Sequence, residues 1–181
     1  MASVNDARDQ LDLTDEQARV LMLTHRGFVR SGAALTGDDE VRMKEIKGRL
    51  AELGTAFTQN LLADERDWFM DLGEDDLAGL PEFVVATARA AGEEKGADGP
   101  VITLSRSLIV PFLQFSTRRD LRETAYKAWT ARGANGGETD NRAIAAEILC
   151  LRQERAKLLG YDSFAAYKLE TELSKTPEAV R

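Results

Sequence analysis

Histidine and cysteine are almost missing from this chain of 181 residues, each occurring once, and only four prolines are present. A lone cysteine, Cys150, excludes an internal disulfide. Its neighbours Ile148, Leu149 and Leu151 suggest a packed thiol rather than a nucleophile, since no local motif would activate it. A single histidine, His25, excludes the pair of imidazoles one helical turn apart on which a hydrolytic zinc is usually built. His25 falls on the apolar side of a helical pattern, so it reads as a hydrogen-bonded core or interface residue. Basic charge is also short. Lys and Arg number 24 against 31 Asp and Glu, for a net charge of -7 and a pI near 4.9. That balance argues against nucleic acid, whose binding depends on neutralising phosphates. No apolar run approaches the length of a membrane span, and MASVNDARDQ has none of the features of a signal peptide. The expectation is a cytoplasmic protein.

What the chain has in quantity is helix punctuation. Thr14-Asp15-Glu16-Gln17 reads as a capping box, followed by Ala18, Leu21, Met22, His25, Phe28 and Val29 at helical spacing to about Ser31. Gly37-Asp38-Asp39-Glu40 opens what should be the longest helix. Its Met43, Ile46, Leu50, Leu53, Phe57 and Asn60 alternate at three and four residues, and the helix over 14–31 is the expected antiparallel partner. The period then changes. Trp68–Leu72 and Val101–Leu104 read as two short strands that pair with each other, and between them Pro81 opens a helix to about Ala91. Ser107 begins a helical stretch in which Pro111 should sit in the first turn. Thr117-Arg118-Arg119-Asp120 resembles another capping box, and Ala134-Asn135-Gly136-Gly137 reads as the most flexible linker. Gly136-Gly137 lacks the lysine and hydroxyl residue of a phosphate loop. Thr139 or Asp140 should cap a long helix ending at Gly160, and Ser163 should cap the next. The fold class expected is mainly α, a helical array of long antiparallel helices with one small two-stranded β element, in one domain of ordinary size.

Thr176-Pro177-Glu178 begins a further helix, and the chain stops one turn into it. One isolated turn is unstable because nucleation fixes several dihedrals for a single hydrogen bond. The expectation is therefore a piece of a longer protein. LLGYDSFAAYKLETELSKTPEAV resembles a segment in the N-terminal half of the thimet-oligopeptidase-like zinc metallopeptidases, most closely the bacterial peptidyl-dipeptidase branch. LTDEQARVLMLTHRGFVRSGAAL, VITLSRSLIVPFLQFSTRRDLRETAYKAWTARG and GGETDNRAIAAEILCLRQERAKLLGY extend the resemblance in order over residues 13–161. The resemblance implies a parent enzyme that uses zinc to cleave short peptides, with the His-Glu-x-x-His helix and downstream glutamate outside these residues. Residues 1–181 would then be one helical region of the parent's N-terminal half, forming channel wall and scaffold. The implied partners are short peptide substrates and the remainder of the parent chain. Catalytic and metal residues are expected to be absent here, and the piece alone is expected to be inactive and free to self-associate.

Candidate site residues are few. Arg106, Arg118, Arg119 and Arg122 form the one basic concentration, suited to a substrate's terminal carboxylate, or else to ion pairs with Asp120 and Glu123 on a solvated helix face. Glu74-Asp75-Asp76 and Asp38-Asp39-Glu40 are the densest acidic groups. Both sit at helix starts, where the helix dipole already accounts for them. Tyr126, Tyr161 and Tyr167 have the hydroxyls that stabilise tetrahedral intermediates in such peptidases, but none matches the family's tyrosines. A different class of function stays open, a complete non-catalytic helical scaffold that binds a partner through the 43–60 seam or an aromatic surface near Phe112, Phe115 and Trp129.

Overall fold

A computed structural model describes residues 2–181, which group into two compact units, one of residues 2–52 with 147–181 and the other Leu53–Ala146. Eight helices and a two-stranded sheet are described: α1 Ala2–Asp6, α2 Asp15–Arg30, α3 Gly37–Asp67, β1 Phe69–Asp71, α4 Glu82–Lys95, β2 Val101–Thr103, α5 Arg106–Phe115, α6 Arg119–Thr130, α7 Arg142–Leu158 and α8 Phe164–Leu169. The fold is mainly α with a small β element, as expected.

In the first unit, Thr14 caps α2 through the capping box, its Oγ1 accepting from Gln17 N while Gln17 Oε1 accepts from Thr14 N. The α3 seam is real. Met43 and Ile46 are buried, and Leu50 is half-buried. One of its partners was not expected. Arg42 pairs with Glu154 at 2.6 Å and Arg49 with Glu147 at 2.6 Å, so a step of seven along α3 answers a step of minus seven along α7. That register is antiparallel and joins α3 to α7, while the C-terminal end of α2 also reaches α3, where Lys47 donates to Ser31 O at 3.2 Å. Sequence spacing shows which face packs but not which helix meets it. Cys150 is also corrected. It is exposed, as is Leu149, because the buried side of α7 runs through Leu151 and Ala156. An unbroken apolar run covers both faces of a helix, and only one of them is buried here.

The second unit holds the larger core. β1 and β2 pair antiparallel with Met70 opposite Ile102, and Leu72, Val84, Ala88, Ile102, Leu104, Leu108, Ile109, Phe112 and Ala125 bury together around them. α4 runs past the expected stop at Ala91 because Gly92 is a packing position: a Cβ there would lie 2.0 Å from the Gly99 carbonyl oxygen. The helix ends instead at Gly96, whose φ of 69° is left-handed. Pro111 lies in the interior of α5 rather than its first turn. The carbonyl it cannot serve belongs to Ser107, an exposed residue. Thr117 does not cap α6; its hydroxyl donates to Ala78 O at 3.2 Å, and no side chain caps that helix. Phe112 is fully buried and Trp129 packs against the core, so of the supposed aromatic surface only Phe115 is exposed.

The segment read as a flexible linker is a tied loop. Asp64 accepts from Gly133 N at 2.7 Å, from Asn135 Nδ2 at 2.9 Å and from the Thr139 hydroxyl. Thr139 is thereby spent, and Asp140 takes the N–H of Arg142 at 2.9 Å at the start of α7. Next to it, buried Asn141 donates to Phe57 O at 3.0 Å and accepts from Asn60 at 2.9 Å, which explains the polar end of the seam.

Candidate functional site

The four arginines do not form one site. Arg106 is the exposed first residue of α5. Arg118 precedes α6 and is consumed by ion pairs with Asp76 and Asp120, the latter bidentate at 3.0 and 2.7 Å. The guanidinium beside Asp120 holds that carboxyl down to about 2. Arg119 and Arg122 are the pair that the helix brings together. With Tyr126 they follow at three and four residues, one side of α6, and they line a cleft of about 320 Å³ with Leu113 and Glu123. Neither takes the expected ion pair, since Arg118 holds Asp120 and Lys127 holds Glu123 at 2.5 Å. The Lys127 bond, and more weakly Arg119, keep the Glu123 carboxyl below its ordinary value. Arg122 is half-buried, and its Nε is shielded from water with no hydrogen-bond partner.

The tyrosines separate as well. Tyr126 is 55% exposed at the cleft. Tyr161 and Tyr167 lie in the first unit, in a clasp that the sequence did not signal. The Arg30 guanidinium stacks 4.2 Å from the centre of the Tyr167 ring, donates to Tyr161 Oη at 3.2 Å and to Tyr167 O at 2.6 Å, and pairs with Glu170. Tyr161 in turn donates to Glu170 at 2.7 Å, and Arg155 donates to Tyr167 Oη at 2.8 Å. Burial first, then the Glu170 carboxylate, pushes the Tyr161 hydroxyl above its ordinary value, and the Tyr161 bond holds Glu170 below its own. These hydroxyls are engaged in joining α2, α7 and α8, and are not offered to a substrate. Arg30 and Glu170 lie 140 residues apart, so no local pattern could have linked them.

The remaining candidates have structural roles. His25 is half-buried on α2 but makes no side-chain hydrogen bond among the described residues, contrary to the expected hydrogen-bonded histidine. Glu40 pairs with Lys44 at 2.6 Å in the first turns of α3, Glu74 with Arg89 at 3.1 Å, and Asp76 accepts from Gly73 N at 2.9 Å. Among the described residues no three His, Cys, Asp or Glu side chains converge as metal ligands, so the residues present do not fit the zinc that the resemblance implies. Among the described residues no helix is long and apolar enough to cross a membrane.

Comparison with known proteins bears on what such a chain belongs to. Residues 112–181 match the model of peptidase family M3. Oligopeptidase A of Escherichia coli is 33% identical over 182 residues, covering 98% of this chain and 27% of the relative. Dipeptidyl carboxypeptidase of Salmonella typhimurium is 35% identical over 176 residues, covering 95% and 26%. The probable cytosolic oligopeptidase A of Arabidopsis thaliana is 32% identical, covering 98% and 26%. The chain thus spans about a quarter of the length of these relatives, and along nearly all of its own length it is a relative of the thimet-oligopeptidase-like peptidases of family M3.

Proposed function

We propose that this chain is part of the N-terminal half of a larger zinc peptidase that cleaves short peptides in the cytoplasm, and that it supplies wall and scaffold rather than chemistry. The observation that carries the reading is the asymmetry of coverage, 98% of this chain against 27% of oligopeptidase A. A metal-dependent peptidase needs several protein ligands and an open position on the ion. A lone, half-buried His25 and dispersed acidic groups already committed to arginine, lysine and helix starts do not supply them. On this reading the zinc ligands of the parent, and the groups that do the chemistry, belong to its other residues.

The test compares two proteins. The 181-residue chain is assayed for bound metal and for cleavage of a blocked short peptide, beside the product of the complete reading frame. The expected result is one zinc and chelator-sensitive cleavage for the long product, and neither for the chain alone. One tightly bound zinc per 181-residue chain with metal-dependent cleavage would overturn the scaffold role. A reading frame ending at Arg181 would favour a free-standing helical binding protein instead.

A further inference from the structure

Of the four asparagines in the chain, Asn135 alone precedes a glycine. The loop between α6 and α7 asks for that glycine: Gly136 has a φ of 76°, a left-handed backbone that a side chain would strain. A glycine also leaves its nitrogen unscreened by a Cβ, which makes the preceding asparagine thermolabile. In that reaction Gly136 N gives up its proton and attacks Asn135 Cγ. The N–Cγ bond forms, the Cγ–Nδ2 bond breaks, and Nδ2 leaves with the proton as ammonia. Water then opens the five-membered imide at one of its two carbonyls and leaves an α-linked or β-linked aspartate at 135. Asn135 is exposed, yet the folded loop opposes the chemistry. Gly136 N–H donates to Asp140 Oδ2 at 2.8 Å, so removing its proton would set an anion against a carboxylate. Asn135 Nδ2 donates to Asp64 Oδ1 at 2.9 Å and to Thr139 Oγ1 at 3.0 Å, and its departure breaks both bonds. The product puts a carboxylate where a donor to Asp64 stood, and like charges so close repel. The same Asp64 holds Gly133 N at 2.7 Å and the Thr139 hydroxyl. We propose that Asn135 is a latent deamidation site: it is closed while Asp64 and Asp140 hold the loop, it opens when the loop lets go, and the aspartate formed keeps the loop from closing again.

The experiment incubates the 181-residue chain in mildly alkaline buffer, folded and in urea, and follows the gain of one dalton at residue 135 by peptide mapping with tandem mass spectrometry. Because local opening sets the rate, the folded chain should deamidate there about a hundredfold more slowly than the chain in urea, and Asp64→Ala should raise the folded rate by about tenfold. Asn135→Asp, made directly, should speed amide exchange at Gly133 by about tenfold. Adding Asp64→Asn removes one of the two charges and keeps an acceptor oxygen for Gly133 N, so it should restore most of the lost protection. A folded chain that deamidates as fast as the chain in urea, or an Asp64→Ala chain that is folded by circular dichroism and deamidates no faster, overturns the gate. Thr139→Ala, which removes one tie only, takes the place of Asp64→Ala where that change prevents folding, and is read the same way. An Asn135→Asp chain whose Gly133 exchanges as slowly as before, or one in which Asp64→Asn brings no recovery, overturns the repulsion that holds the loop open.

Discussion

Replacing Gly92 by alanine should destabilise the second unit, although the same change inside an exposed helix stabilises. Helix propensity alone favours alanine over glycine by about 1 kcal/mol. At position 92 the new Cβ would stand 2.0 Å from Gly99 O and 3.1 Å from Gly99 C, where ordinary contact begins at 3.4 Å. Both obstacles are backbone atoms, so no rotamer change relieves them, and α4 or the 99–100 turn must shift. That turn is tied to β1, since Leu72 N donates to Pro100 O at 2.9 Å, and Asp71 pairs with Val101 in the adjoining ladder. Overpacking of this kind costs about 1–3 kcal/mol and a displaced hydrogen bond about 1 kcal/mol more. After the propensity gain is set against them, the net loss is about 1–3 kcal/mol. Gly54 is the control. It lies in α3 within the same unit, is exposed, and a Cβ there meets nothing within 4 Å, so Gly54→Ala should gain about 0.5–1 kcal/mol. Reversible urea unfolding followed by circular dichroism reads both changes as shifts of the midpoint at constant slope. A Gly92→Ala chain as stable as the parent sequence, or shifted in the same direction as Gly54→Ala, would refute the close approach of α4 to the turn.

Ile46→Ala removes a fully buried side chain from α3 and should cost about 2–5 kcal/mol; a loss under about 0.5 kcal/mol in the same unfolding assay would place that face on the surface. Asp64→Ala should cost about 1–3 kcal/mol and speed amide exchange at Gly133, whose N–H it accepts; unchanged exchange there would mean the loop is held by something else. Acid should weaken the folded chain: Asp120, Glu147, Glu154 and Glu170 are held below their ordinary values of 3.8 and 4.5, so their contribution is present above pH about 4.5 and is lost as pH falls toward 2. A urea midpoint that stays flat or rises on acidification would contradict that sign. Val20, Leu23, Phe28 and Val29 of α2 are 40–57% exposed, and apolar surface of this kind should bind a hydrophobic dye and promote self-association of the chain; a strict monomer without dye binding at high concentration would count against it.

Local chemistry was readable because it acts over a few residues. The Thr14 capping box, the Ser163 cap, the turn at Gly160 and the alternation around Met70 each depend on neighbours in the chain, and each is found as expected. Failures cluster where a distant group intervenes. Thr117 could have capped α6, but the Ala78 carbonyl claims its hydroxyl across 39 residues. Gly136 and Gly137 have the composition of a loose linker, yet Asp64 fastens the loop around them from about 70 residues away. The helix expected to end at about Ala91 runs on to Lys95, because Gly92 lets the backbone at Gly99 cross close by, a contact from outside the helix. The candidate site was half legible for the same reason. The spacing of Arg119, Arg122 and Tyr126 follows from helix geometry, whereas the loss of Arg118 to Asp76 depends on a residue 42 positions earlier.

The two units rest on different kinds of support, and this bears on the scaffold reading. Residues 53–146 enclose a core in which Val84, Ala88, Ile102, Ile109, Phe112 and Ala125 are at most 1% exposed, and burial of apolar surface is the main driving force of folding. In residues 2–52 and 147–181 the buried apolar side chains are Met43, Ile46, Leu151 and Ala156. Much of the rest is polar: the Arg42 and Arg49 pairs and the Arg30 clasp on Tyr161, Tyr167 and Glu170. Exposed ion pairs contribute about 0–1 kcal/mol each, and the part-buried clasp must first offset the desolvation of its guanidinium. Such contacts choose one arrangement of helices more effectively than they stabilise it. An amphipathic helix like α2, with none of its residues buried, gains its remaining stability only when something covers it. In the proposed scaffold, the first unit would serve as the wall and the well-packed 53–146 unit as the frame.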